Sequence, residues 1–126
     1  MILVDNFYFI RDFEAGDRSA KALLEFDGGH SIFAGHFPTV PVVPGVCMMQ
    51  IVKEFVEKLT GTKTNIHKVA LMKFLTLINP RQVPVVRIDA SYVETSDSSF
   101  QVTASLYNEG VVYFKFKGTL VPAFDV

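Results

Sequence analysis

The sequence predicts an α+β domain in which an antiparallel sheet wraps around one central apolar helix. Three observations carry that prediction. Residues 45–60 hold the one convincing helical pattern, opened by Pro44-Gly45 and closed by Thr60-Gly61. The first half of that helix, Val46 to Val52, is apolar all round except for Gln50, so it is expected to be buried on every side. After Gly61 the pattern changes to a period of two, rich in β-branched and aromatic residues.

Residues 6–10, Asn-Phe-Tyr-Phe-Ile, fit a short strand or a turn. Residues 18–27 fit a strand or a helix, and Asp27-Gly28-Gly29 then breaks the chain. Residues 30–44 carry Gly35, Pro38, Pro41 and Pro44. Prolines at a spacing of three exclude both helix and central strand, so this segment is ordered but irregular. The second half of the helix, Lys53 to Leu59, is amphipathic and reaches solvent. Four long strands follow, at residues 66–78, 83–93, 99–107 and 111–121. Asn79-Pro80-Arg81-Gln82 links the first two, Ser96 to Ser99 turns the chain next, and Tyr107-Asn108-Glu109-Gly110 is a hairpin signal that makes the last pair antiparallel. One buried helix followed by an antiparallel sheet is the hot-dog layout.

The 126 residues suffice for one domain, taken as 1–126, and at 49% hydrophobic they can bury a sizeable core. A formal charge of −1 gives no electrostatic case for nucleic acid or an anionic membrane. Cys47 is the single cysteine, which excludes an intrachain disulfide, and its apolar neighbours make it a small buried hydrophobe rather than a nucleophile. No apolar run approaches a membrane span, and Met-Ile-Leu-Val-Asp-Asn lacks the basic start of a signal peptide. A cytoplasmic location is expected.

The chemistry concentrates in Gly35-His36-Phe37-Pro38 and the Pro41-Val42-Val43-Pro44-Gly45-Val46 run that follows. His36 lies in a rigid loop, and nine residues later Gly45 opens the buried helix. The free N–H groups at a helix start can polarise a carbonyl and hold the charge that develops on its oxygen. Gly45 has no side chain to block that approach. Neutral imidazole accepts a proton at about pH 7. Together these parts suit proton abstraction beside a thioester carbonyl. A lone histidine in a loop is more often structural; the rigid loop and the helix start are what favour the functional reading of His36. His30 and His67 have no partnering pattern. No metal-ligand spacing is present, and no cofactor is implied.

The stretch from Ser31 to Val46, with Phe33 two residues ahead of Gly-His-Phe-Pro and then Pro-x-x-Pro-Gly-Val, resembles the signature of the (3R)-hydroxyacyl-acyl-carrier-protein dehydratases. Lys73-Phe74 followed by Pro80 is similar to that family's central strand and turn, and the likeness runs from about residue 19 onward. The resemblance implies that His36 is the catalytic base and Gly45 the backbone donor. It also places the family's second catalytic group, an acid fourteen residues after the histidine, at Gln50. An amide can orient a hydroxyl but cannot deliver a proton near neutral pH. Gln50 is thus either a member of an altered catalytic pair or a plain buried amide bonded to loop backbone. A second departure is Pro80-Arg81-Gln82, where the family has Pro-Gly-Asp.

The leading expectation is a 3-hydroxyacyl thioester dehydratase. The alternatives are a helper subunit that pairs with an acid-bearing partner, and an acyl thioesterase. The resemblance implies a substrate carried on an acyl carrier protein, and a site shared between two protomers. A homodimer, a trimer of dimers or a heteromer with another hot-dog subunit would all satisfy that. An acyl tunnel along the helix is expected to be walled by Phe33, Phe37, Val42 and Met49.

Overall fold

The computed structural model describes residues 1–35 and 40–123; the candidates His36 and Phe37 lie outside the described residues. The elements are β1 (Tyr8–Gly16), β2 (Ser19–Phe26), α1 (Ser31–Gly35), α2 (Gly45–Thr60), β3 (Thr64–Phe74), β4 (Val85–Glu94), β5 (Phe100–Asn108) and β6 (Val111–Pro122). The strands form one antiparallel sheet in the order β1-β2-β4-β5-β6-β3. The sheet curves around α2, which packs against β3, β4 and β6, giving the α+β hot-dog arrangement that the pattern predicts. Among the described residues no helix is long and apolar enough to cross a membrane.

Period-two burial sets the inner face. Ala20, Ala22, Leu24 and Phe26 alternate inward on β2, which resolves residues 18–27 as strand. Cross-strand register aligns Ala22, Ile88, Leu106 and Phe114 in one buried row, and Ala20, Ala90, Ala104 and Phe116 in the next. Ile51, Val52, Phe55 and Val56 of α2 are fully buried. Each turn read from the sequence closes with its own hydrogen bonds or backbone geometry. Glu109 and Gly110 both have positive φ, as a type I′ hairpin requires. The Asn79 carbonyl accepts from Gln82 and Val83. Thr95 pairs with Ser99.

Four expectations are corrected. Residues 30–44, expected to be irregular throughout, open with the short helix α1 (Ser31–Gly35), because the proline spacing that excludes helix begins only at Pro38. The first strand spans Tyr8–Gly16 rather than residues 6–10; Arg11, Asp12 and Glu14 hide it from a pattern search because β1 is a half-solvated edge with an irregularity between Arg11 and Glu14. The strand expected at 66–78 runs Thr64–Phe74, since the Leu75 amide turns to the Tyr113 carbonyl and the chain leaves the ladder. The first half of α2 is not buried on every side: Val46 is 61% exposed and Met49 half-buried. Val46 directly follows Gly45, whose Cα lies against the Phe74 ring, and its own side chain is left open.

Gly118 on β6 marks the tightest backbone approach. A Cβ there would sit 2.6 Å from the Lys68 carbonyl oxygen and 2.7 Å from the Phe116 ring. β3 is irregular at this point, with register shifts on both sides of Lys68 and Val69. Neither the carbonyl nor the buried ring can move aside cheaply. Gly118→Ala should therefore lower stability by about 1–3 kcal/mol in chemical denaturation; an unchanged midpoint would show that the β3 bulge relaxes freely.

Candidate functional site

Pro44 caps α2 in an extended conformation, without a side-chain cap. Its carbonyl accepts from Cys47 at 3.0 Å and Met48 at 3.2 Å, so the amides of Gly45 and Val46 lie ahead of the first intrahelical bonds. Neither amide is used by the helix, and Gly45 is the position that the sequence reading assigns as backbone donor. The approach to the segment is fixed from behind, where the Val43 amide donates to the Ile78 carbonyl at 2.9 Å.

Glycine at position 45 has a neighbour that the sequence does not reveal. A Cβ there would stand 2.9 Å from the Phe74 ring. The ring lies against the helix start, so a side chain at residue 45 would displace it. Phe74 in turn stacks on Phe114 at 5.0 Å and is still 49% exposed.

The structure places the remaining candidates as follows. Gln50 lies on the same helix as Gly45, roughly 7.5 Å further along its axis at the standard rise. Phe33 is buried and packs on Phe7, with ring centroids 5.1 Å apart. Val42 is buried in the segment leading to α2, and Met49 packs against the core while remaining half-open. His30, read as ordinary, is tied into the fold: it bonds Asn6 and accepts the Ile32 amide. Cys47 is buried; desolvation, and then the charge of Glu54, push its thiol upward, in line with an inert core cysteine.

Sequence reasoning missed Glu54. It is only 7% exposed, yet it accepts four hydrogen bonds. The amides of Leu3 and Val4 donate at 2.8 Å each, the Tyr8 hydroxyl at 3.0 Å, and Gln50 Nε2 at 2.8 Å. A carboxylate has about four lone-pair positions, so this set satisfies it. The same Gln50 Nε2 donates to the Met1 carbonyl at 2.7 Å. Residues 1–8 are thereby strapped across α2. Gln50, Glu54 and Glu57 follow the i, i+4, i+7 spacing of a solvent-facing stripe, and nothing local in the sequence says that the N-terminal segment will cover part of it.

A concavity of about 750 Å³ lies over the polar rows of the sheet and includes Lys73, Lys115 and Lys117; none of the predicted site residues among the described residues lines it. A second, of about 510 Å³, is bounded by Met1, Val4, Gln50, Lys53 and Glu54. Gln50 thus edges a groove, whereas the helix start opens on an apolar strip.

A family model described as ApeI dehydratase matches residues 12–111. The chain belongs to the ApeI-like dehydratase family. The matched range contains the His36 loop, Gly45, Gln50 and Glu54. A comparison with curated proteins found no match. Among solved structures, a chain of the dehydratase heterocomplex ApeI:P from Xenorhabdus doucetiae superposes with a TM-score of 0.74 at 19% identity, covering 90% of this chain and 96% of that one. An uncharacterized protein from Erwinia carotovora subsp. atroseptica gives 0.60 at 19% identity, with 90% and 93% covered. A conserved protein from Pseudomonas aeruginosa gives 0.63 at 13%, with 89% and 87% covered. At these identities the likeness to the solved structures is one of fold.

Burial, and then the negative charge of Glu54, push the Tyr8 hydroxyl far above its ordinary value of 10.0. Below about pH 10 both folded and unfolded chains hold the proton. Above it the unfolded chain releases the proton and the folded one does not, so stability falls as pH rises. The denaturation midpoint should drop more steeply above pH 10 in the wild type than in Tyr8→Phe, and equal slopes would show that Tyr8 ionises normally.

Proposed function

We propose that this chain acts on 3-hydroxyacyl thioesters carried by an acyl carrier protein, eliminating water at the start of α2 in a site shared with a second hot-dog subunit. The observation that carries the reading is the family match across residues 12–111, which spans the histidine loop and the whole of α2. In this mechanism His36 takes the C2 proton. The electron pair moves onto the thioester oxygen, which the Gly45 and Val46 amides stabilise. The C3–O bond then breaks as the enolate collapses to the enoyl thioester. The departing hydroxyl needs a proton, and it comes either from His36, returning the one it took, or from an acid on the partner subunit. Of the residues assigned to the acyl chain, Phe33 and Val42 are buried and Met49 is half-buried on α2.

A paired, helper-type role is supported by a specific feature. Val46, Met72, Phe74, Leu75 and Leu77 are exposed apolar side chains, with Leu77 72% open. Phe74 touches Gly45, and Ile78, next to Leu77, bonds Val43, so the strip adjoins the helix start. Among the described residues β3 is also an edge strand of the sheet. Exposed apolar strips of this kind mark protein interfaces. The structure similar in fold from Xenorhabdus doucetiae is itself a dehydratase heterocomplex. Here the occupant is a second hot-dog subunit, either another copy or an acid-bearing relative.

His36→Ala should cut dehydration of a 3-hydroxyacyl thioester by about 100-fold or more while leaving the far-UV spectrum intact. A folded variant at the wild-type rate would place the base elsewhere.

Gln50→Glu should raise the rate. The new carboxyl would face the Glu54 carboxylate and the Met1 carbonyl, surroundings that favour its protonated form and so suit a general acid. The gain should come with a new pH-dependent limb and a loss of stability near neutral pH, because two acids then share one pocket. The decisive comparison runs wild type, Gln50→Glu, and wild type mixed with an acid-bearing family member. Activity only in the mixture supports the helper role. A wild type already as fast as its acid-bearing relative means that Gln50 is no handicap.

A further inference from the structure

The network on α2 fixes what Gln50 can offer a ligand. A glutamine side chain carries two amide hydrogens and one carbonyl oxygen. Both hydrogens have acceptors here, Met1 O at 2.7 Å and Glu54 Oε2 at 2.8 Å. A backbone carbonyl only accepts. Glu54 already takes the Leu3 and Val4 amides and the Tyr8 hydroxyl, so its carboxylate has acceptor work on every side. Flipping the Gln50 amide would set its oxygen against two acceptors, and the buried Glu54 cannot turn away without releasing the N-terminal strap. The orientation is therefore set by Glu54.

The geometry points to Glu54 as a positioning residue that holds the Gln50 amide so that Gln50 presents only its carbonyl oxygen, and hence selects a ligand bringing a hydroxyl donor. This deepens the dehydratase reading and rests on it. The hydroxyl is the one on C3, present in the 3-hydroxyacyl substrate and absent from the enoyl product. Gln50 receives a hydrogen bond from that hydroxyl and gives it no proton. The proton completing water must come from His36 or from the partner subunit. The chain then holds substrate more tightly than product, because only the substrate carries the donor that the oxygen faces.

The first test needs no turnover. In ¹⁵N-labelled protein the Gln50 side-chain NH2, assigned by its loss in Gln50→Met, should exchange with solvent at least about tenfold more slowly than those of the exposed Gln82 and Gln101. Glu54→Gln should abolish that protection in a folded protein. Tyr8→Phe removes a donor to Glu54 and none from Gln50, so it should keep it. If Glu54→Gln fails to fold, Glu54→Asp, which draws the carboxylate back by one methylene, makes the same comparison. The second test measures affinity for 3-hydroxybutyryl and crotonyl thioesters of N-acetylcysteamine, alone and with an acid-bearing family member. Wild type should favour the hydroxyacyl form by about tenfold, and Gln50→Met and the folded Glu54 variant should bring the two to parity. A Gln50 NH2 that exchanges as fast as Gln82 in folded wild type overturns the positioning role. A protected NH2 with equal affinity for both thioesters overturns the hydroxyl selection. A protected NH2 with binding of neither thioester, in any mixture, overturns the dehydratase reading and leaves the hold of Glu54 on Gln50 supported.

Discussion

Everything in this fold depends on enclosing one side of α2. Six strands present inner faces that are apolar in alternation, and a sheet with one apolar face must bury it. The sixteen residues of α2 supply the surface to bury it on. The cross-strand rows show how the fit is made. Small alanines at positions 20, 22, 90 and 104 lie on β2, β4 and β5, while the bulky Phe114 and Phe116 continue the same rows on β6. Small and bulky side chains thus share each buried row, with the phenylalanines on β6, one of the strands against which α2 packs. Ile51, Val52, Phe55 and Val56 are the helix's half of that contact, each contributing about 1.5–3 kcal/mol of burial.

The other side of α2 is covered by different physics. The N-terminal strap crosses it, and a strap of backbone brings amides that need acceptors. Glu54 accepts the Leu3 and Val4 amides together with Tyr8 and Gln50. Removing this one side chain would orphan several buried donors at once, which is why a buried carboxylate is tolerated in a helix that is otherwise apolar at this level. Phe7 extends the strap by packing on Phe26 and Phe33, so the strap, the end of β2 and the short α1 are one aromatic cluster.

What the sequence discloses divides along the same line. The bounds of α2 were legible because Pro44-Gly45 and Thr60-Gly61 are local signals, and Gly61 does take the left-handed conformation that ends a helix. The late strands were legible because alternation and turn chemistry are local as well. β1 was only partly legible, since an edge strand carries charge on both faces. Val46 was misplaced because apolarity says that a residue is to be covered but not by which chain. Glu54 was illegible for the opposite reason. A charged residue on an amphipathic half-helix reads as solvated, and only the tertiary path of residues 1–8 makes it buried. Gly45 was legible as a position, but the Phe74 ring that lies against it comes from β3, far along the chain.

The apparent departure at residue 50 follows from this architecture. Where the resemblance places an acid, this chain has an amide between a carbonyl oxygen and a buried carboxylate. Both neighbours are acceptors, so the residue between them must be a donor. An ionised acid in that position would repel Glu54 and compete for the donors that hold the strap. A neutral acid could satisfy only one of the two acceptors with its single proton. Glutamine satisfies both and keeps a carbonyl oxygen in reserve. On this scaffold, anchoring the N-terminal strap through Glu54 and retaining an ionised acid at residue 50 are competing demands, and the chain has met the first. On the proposed dehydratase reading, the proton that such an acid would have provided would come from His36 or from a partner subunit, and Val46 and Phe74 stand open beside the helix start where such a subunit would sit.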